Sequence, residues 1–355
     1  MKDNWYEVRP RTSAQVEEAF EYLKRIFDPS WVRSYKGELI ENIFLRSILY
    51  DRSAFTRNHL ITLSEQLKRH EETSGIHVVI RGLRGKQESD AANMELELAD
   101  YLAQEGYQVE FPVAKSAKGK SPDIRLTKGD GKYAVECKGL RVSEIESWLN
   151  GVFQIASSQL MALAETNGLG IEFIFSAEVV RGLLERRNSG VAVADAASDL
   201  LKRISEEIDV AINRNRWPLW MWIDKRGSGF FFKANSTVGS SVGTPGMPDE
   251  LVFRRLIQNA VVPAAKQLSN EEMPGLIAIH TREIPSDSYL AQELNRFLFE
   301  NRDDYEHILA VLILPWQGWF QRNQPRLIVN RHAQHEWNNS GISGAIAKYD
   351  PIILP

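Results

Sequence analysis

The sequence predicts a mixed α/β protein, on three observations. Apolar residues recur at helical spacing near the N-terminus, through Val16, Ala19, Phe20, Leu23 and Ile26, and again through Leu39, Ile43, Phe44, Ile48 and Leu49. Two short β-rich runs, Asp123–Thr127 and Tyr133–Lys138, flank the turn signal Lys128-Gly-Asp-Gly-Lys132. Helical and strand-like patterns then keep alternating through the second half, without repeats, heptads or low-complexity tracts.

Taken in order, residues 1–80 read as mostly helical, and Arg81 to Lys86, with two glycines and three basic residues, as a loop or linker. Ser89 or Asp90 caps a helix that runs to about Glu105 and stops at Gly106. A strand over Tyr107–Val113, a Lys/Gly/Ser loop and the hairpin come next. A long amphipathic helix over about 142–166 ends at Asn167-Gly168 and is followed by the apolar strand Ile171–Ser176. The order is therefore helix, three strands, helix, strand. Beyond it, helices are expected near 178–187, 191–213, 249–268 and 288–300, and strands at 218–223, 229–233, 276–281, 307–314 and 326–331. The expected regions are 1–88, mostly helical; 89–177, the core; and 178–355, a C-terminal α/β region suited to binding substrate or partner. Softer breaks fall at 225–228 and 236–247.

Composition excludes little. A length of 355 residues can bury a large core in two or more lobes. A net charge of −4 does not announce a nucleic-acid binder, but local patches matter more than totals. The single cysteine, Cys137, permits no internal disulfide and fits a reducing compartment. The start of the chain lacks an apolar h-region and no stretch of 18 apolar residues occurs, so a soluble cytoplasmic protein with no membrane partner is expected.

The chemistry-bearing residues sit on the hairpin. Strand side chains alternate faces, so Glu136 and Lys138 point the same way and Cys137 the other. With Lys128 to Gly131 as the loop, Thr127 faces Lys132, and counting back places Asp123 opposite Glu136. Two acids and an amine on one patch suit a divalent cation acting on a phosphodiester. Mg²⁺ takes oxygen ligands in octahedral geometry, with Mn²⁺ able to substitute. Asp123, Glu136 and the Cys137 carbonyl are the candidate ligands, and Lys138 the catalytic amine that orients water or stabilises developing charge. Glu95 adds to them. At 100° per residue it falls at the centre of the stripe made by Leu98, Ala99 and Leu102, where an acid is costly without a partner. Glu97 lies opposite, with Asp100, Tyr101 and Gln104, and reads as surface. Gln159 interrupts the stripe Trp148, Val152, Ala156, Leu163 and is a weaker phosphate-contact candidate. Lys115, Lys118 and Lys120, with Arg81, Arg84 and Lys86, are candidates for following a nucleic-acid backbone. The bland alternative is solvated charge on an exposed hairpin and loop.

The helix acid, Pro122-Asp123, Glu136-Cys-Lys138 and the order αβββαβ resemble the PD-(D/E)XK nuclease superfamily, with its restriction-endonuclease-like fold. The run Glu95…Tyr101-Leu102…Gly106-Tyr107 is similar to the helix–strand passage of its Holliday-junction-resolvase-like branch. The Gln-x-x-x-Tyr motif of the RecB-like branch is missing, since Gln154 is followed by Ser158. The resemblance covers residues 89–177. It implies a mixed sheet flanked by helices and Mg²⁺-dependent endonucleolytic hydrolysis, with DNA favoured over RNA. Ligand acids fall on Asp123 and Glu136, the lysine on Lys138 and the helix acid on Glu95.

Other signals are discounted. Gly119-Lys120-Ser121 resembles the end of a P-loop, but Ala114 stands where its first glycine belongs and a strand follows. His332 and His335 lack accompanying ligands. Trp217, Trp220 and Trp222 alternate on an apolar strand, so some belong in a core, and Trp316, Trp319 and Arg322 read better as packing than as a stacking surface. Two further readings stay open: a non-cutting nucleic-acid-binding or scaffold subunit of a defence or repair complex, and a C-terminal half that docks a protein partner or a second copy.

Overall fold

Near-continuous apolar runs at 275–281 and 308–315 are what strands buried on both faces require, and they lie inside a seven-stranded mixed sheet. The structure, a computed structural model, describes residues 11–28, 30, 54–85, 88–113, 121–140, 143–214, 219–223, 227–233, 241–243, 245–281, 283–315, 324–348 and 351–354. Strands in chain order are β1 (Gln108–Glu110), β2 (Ile124–Lys128), β3 (Gly131–Leu140), β4 (Leu169–Phe175), β5 (Leu219–Ile223), β6 (Gly227–Lys233), β7 (Ser241–Gly243), β8 (Gly275–Thr281), β9 (Ile308–Pro315), β10 (Arg326–Val329) and β11 (Ile352–Leu354). The large sheet runs β1-β2-β3-β8-β9-β10-β11 and a second sheet runs β5-β6-β4-β7. The protein is thus mixed α/β, as expected. No described helix is long and apolar enough to cross a membrane.

The chain divides into two compact units, residues 1–140 with 253–355, and residues 141–252. In the first, alternation sends the two faces of the sheet into separate cores. Tyr133, Val135 and Cys137 of β3 join Leu276, Ala278 and the helix Ser89–Gln104 in one. Ala134 joins Ile277, Ile279 and the segment 256–268 in the other. The second unit packs the helices Glu144–Thr166, Ala177–Asn188 and Val193–Arg214 around Leu169, Ile171, Phe173 and Phe175 of β4. Its first helix starts at a capping box, with Ser143 accepting from the Glu146 N–H and the Glu146 carboxylate accepting from the Ser143 N–H.

Three sequence expectations are corrected. The run helix, three strands, helix, strand over 89–177 does not build one sheet: the helix Glu144–Thr166 and β4 belong to the second unit, and the parallel neighbour of β3 is β8, with Ala134 opposite Gly275 and Lys138 opposite Ile279. A parallel pair needs only a crossover of a dozen or more residues, so local pattern cannot say which later strand closes it. The compact units have other limits than 88 and 177, and residues 11–28 and 54–85 share the core of the helix Ser89–Gln104. Third, Arg81–Arg84 is helix and not loop, within Ile76–Arg84. Gly82, which reads as a turn residue, serves close helix packing, since a Cβ there would lie 2.8 Å from Ala92 Cβ. The helical pattern over Leu39–Leu49 and the residues Trp217, Trp316, Trp319 and Arg322 lie outside the described residues.

Candidate active site on the β2–β3 hairpin

The hairpin closes through Gly129, at φ 58°, and Asp130, with Lys128 paired to Gly131 and Thr127 to Lys132. The same register pairs Ile124 with Val135 and so brings Asp123 level with Glu136. The Asp123 N–H donates to the Val135 carbonyl at 3.1 Å, and Asp123 Oδ2 accepts from the Cys137 N–H at 2.7 Å. A residue's N–H and C=O leave an antiparallel strand on the same side. The Cys137 carbonyl therefore issues toward the flank where β2 begins, beside Asp123. The Cys137 side chain packs in the core on the opposite face from Glu136, and burial first, then the charge of Asp123, pushes its thiol up.

Glu136 is fully buried, at 0 % relative exposure. One of its oxygens accepts from Lys138 Nζ; the other, Oε2, is buried with no hydrogen-bond partner. Burial and then the Asp123 charge push its carboxyl up, and Lys138 offsets this only in part. Burial works against the charged form of Lys138, but Glu136 outweighs it and holds the amine above its ordinary value. The lysine is therefore a cation and not a base. Glu95, half-buried on the helix Ser89–Gln104, is pushed well up by burial, then by Asp123 and Glu136. Asp123 is the leading neighbouring charge felt by Glu95, Glu136 and Cys137 alike. Three carboxyl groups and one ammonium thus converge around the start of β2.

That start is held by residues the sequence reading missed. Gln267 Nε2 donates to the Ser121 carbonyl at 2.5 Å, and Arg125 forks onto Glu271 at 3.1–3.2 Å, so both flanks of Pro122-Asp123 are tied to the segment before β8. No local signal marks these partners, which lie 146 positions away in the chain.

Glu97 is not surface. It is half-buried, accepts from Asn93 Nδ2 at 2.9 Å, and is pushed up to about 7 by burial, with the charge of Asp100 adding to the effect. Asp100, at 1 % exposure, takes the Arg69 fork at 2.7 and 2.8 Å, with His70 Nε2 at 3.6 Å. Burial would raise Asp100, but the neighbouring His70 and the Arg69 fork outweigh it and hold the carboxyl low. The helix Ala54–Arg69 packs against the side of the helix Ser89–Gln104 that a helical wheel assigns to solvent. The i, i+4 spacing of Asn93 and Glu97 was the available clue.

Gln159 is corrected too. It is exposed, because the buried stripe of its helix runs through Leu149, Val152, Phe153, Ala156, Leu160 and Ala164, and it belongs to the second unit. Lys115, Lys118, Lys120 and Lys86 lie outside the described residues, and Arg84 donates to the Ile26 carbonyl. His332 stacks on Phe299 at 5.3 Å and His335 is exposed.

Among the described residues no group of three or more His, Cys, Asp or Glu side chains is placed as a ready cation cage. The acids of the hairpin are instead held by Lys138 and the Cys137 N–H. Glu136 Oε2 is buried without a hydrogen-bond partner, and carboxylate and carbonyl oxygens are the donor types that a hard divalent cation takes. The chain matches no protein-family model, no curated protein and no solved structure, so the residues themselves carry the functional reading.

Proposed function

We propose that the protein is a Mg²⁺-dependent nuclease that hydrolyses phosphodiester bonds, with Mn²⁺ able to substitute and DNA the favoured substrate. The observation that carries this reading is the surplus of acid around the start of β2: Glu95, Asp123 and Glu136 gather with Lys138, the one cation felt there among the described residues, and Glu136 Oε2 is buried without a partner. Asp123, Glu136 and the Cys137 carbonyl would hold the ion, and Glu95 would reach it through water. When bound, the ion polarises the phosphate and lowers the pKa of its water. Lys138 stays protonated beside Glu136 and places positive charge where the phosphate oxygens gain negative charge. In this reading the restriction-endonuclease-like αβββαβ core is discontinuous. The helix Ser89–Gln104, β1, β2 and β3 continue in the helical segment 249–268 and β8, and most of the intervening chain forms an inserted unit.

The test is cleavage of linear, circular, branched and single-stranded DNA, and of RNA, with and without Mg²⁺. Wild type cuts, while Asp123→Ala, Glu136→Ala and Lys138→Ala do not; equal residual activity in all four proteins refutes the assignment. A second reading, a non-cutting nucleic-acid-binding scaffold, is favoured by the lack of a ready cation cage among the described residues. Calorimetric titration separates the two, since a scaffold has no use for a Mg²⁺ site that Asp123→Ala abolishes.

A further inference from the structure

Asp123 stands just before β2, where the ladder to β3 has barely begun. Its N–H donates to the Val135 carbonyl at 3.1 Å, but Pro122 before it has no N–H to give to the sheet. Upstream of the proline, the Ser121 carbonyl accepts from Gln267 Nε2 at 2.5 Å. Downstream, alternation sets Arg125 on the face of Asp123, about 7 Å along the strand. An arginine at that spacing is long enough to reach the aspartate. Its Nε and Nη2 instead fork onto Glu271 at 3.1–3.2 Å, 146 positions away in the chain. Lys138 is accordingly the cation that moves the Glu95 and Glu136 carboxyls, and Arg125 is not.

The segment that holds both flanks is itself fixed by packing. Ala264, Ala265 and Leu268 of the helix Val262–Leu268 are buried in the core that includes Ala134 of β3. The helix end is closed by the Ser269 N–H on the Ala265 carbonyl at 2.8 Å and the Glu271 N–H on the Leu268 carbonyl at 2.9 Å. The Ala134 N–H donates to the Pro274 carbonyl at 3.0 Å, which bonds the same segment to the strand that carries Glu136. Asp123 and Glu136, on neighbouring chain segments, are thus both referred to one platform. We propose that Gln267 and Glu271 are positioning residues of the candidate metal site. Gln267 fixes the approach of the chain to Asp123, and Glu271 holds the Arg125 guanidinium off its carboxylate. This inference rests on the metal-dependent reading of the hairpin. A tie for stability alone would not need to carry Arg125 away from the acid two residues before it, whereas a cation site at Asp123 does.

The experiment titrates Mg²⁺ into the full chain by calorimetry, with Asp123→Ala as the control that marks the site, and follows amide hydrogen exchange in the metal-free protein. Gln267→Met keeps the side-chain length and removes the donor. It weakens Mg²⁺ binding about two- to tenfold while its circular dichroism and thermal transition match the parent. Without metal, it speeds exchange in the peptides that contain the Asp123 and Cys137 N–H groups. Glu271→Ala weakens Mg²⁺ binding about fivefold. Arg125→Ala does not weaken it, and the double variant binds like Arg125→Ala, because the competing cation is gone. A merely structural tie gives another pattern, in which Arg125→Ala and Glu271→Ala lower the thermal transition alike and neither offsets the other in metal binding. The proposal is overturned if folded Gln267→Met binds Mg²⁺ and exchanges as the parent does, or if Arg125→Ala restores nothing to Glu271→Ala. With Mg²⁺ bound by the parent and not by Asp123→Ala, either result leaves the nuclease reading standing. A parent that takes up no Mg²⁺ refutes the nuclease reading itself, and the positioning role with it.

Discussion

Magnesium is expected to raise the melting temperature of the unit formed by residues 1–140 and 253–355 at pH 8, far less at pH 5, and not at all in Asp123→Ala. The reasoning starts from Glu136, fully buried with a partnerless Oε2, and from Glu95, both pushed up by burial and by Asp123. A carboxyl raised above its unfolded value supports the folded state while protonated. That support is complete below the ordinary carboxylate range and is lost as pH rises through the folded value. The metal-free protein is thus penalised at pH 8, where, among the described residues, Lys138 alone offsets the charge of these acids. A divalent cation supplies the missing charge and displaces the protons, so its effect must grow with pH. At free Mg²⁺ a hundredfold above Kd the gain is about 2.7 kcal/mol. For a unit of roughly 240 residues, at about 2–4 °C per kcal/mol, the melting temperature rises by about 5–11 °C. Scanning calorimetry at matched ionic strength, with K⁺ replacing Mg²⁺ in the control, measures it. An equal rise in Asp123→Ala, or a rise that shrinks from pH 5 to pH 8, refutes the reasoning.

Three further outcomes are expected. Glu97→Gln stabilises the protein at pH 8 by about 1–2 kcal/mol and not at pH 4, because the carboxyl raised from 4.5 to about 7 loses its support as pH rises through that interval. The full shift corresponds to about 3 kcal/mol, reduced here by half-burial, and urea titrations at the two pH values that give equal gains would contradict it. Asp100→Ala strands the Arg69 fork and the buried His70, and costs about 2–4 kcal/mol by chemical denaturation; a loss under about 1 kcal/mol would show that the pair is merely tolerated. Gly229→Val forces a side chain against Phe173 and destabilises the unit at 141–252 by about 3 kcal/mol. Its thermal transition moves down while the Mg²⁺-dependent shift of the other unit stays unchanged, and a coupled loss of both would argue against separate units.

What the sequence disclosed follows the range of the forces that decide each feature. The hairpin register was legible because a Gly-Asp turn and strand alternation are local, and Thr127 does face Lys132. The strands at 219–223, 275–281 and 308–315 likewise lie within one or two residues of their apolar runs. Pairing at a distance was hidden: nothing in Tyr133–Lys138 points to Gly275–Thr281 over any other apolar run. Helix faces were legible only where the neighbour was known. Glu97 reads as solvent-facing until the helix Ala54–Arg69 covers that side, and Gln159 reads as part of a stripe until Leu149, Phe153 and Leu160 shift its centre. Gln267 and Glu271, which tie down Pro122-Asp123, left no trace at the hairpin at all.

Burying the acids of the hairpin carries a cost that an ordinary surface hairpin does not. Surface charge on an ordinary hairpin is solvated and nearly free of consequence. Here Glu136 is fully buried, pairs through one oxygen only, and meets a second acid across the strand and a third from a helix, with one lysine among them. A well-packed apolar residue at 136 would be neutral or stabilising by comparison, since burying ions returns little unless every oxygen and proton is satisfied. Local choices that cost stability in an otherwise consistent fold are expected where function sets the residue. The rest of β3 obeys the fold: Tyr133, Val135 and Cys137 fill one core and Ala134 the other. The departure is confined to Glu136 and Lys138, on the stretch of strand level with Asp123, and in the proposed reading a divalent cation would take the partnerless oxygen and the charge that the raised carboxyls otherwise avoid by holding protons.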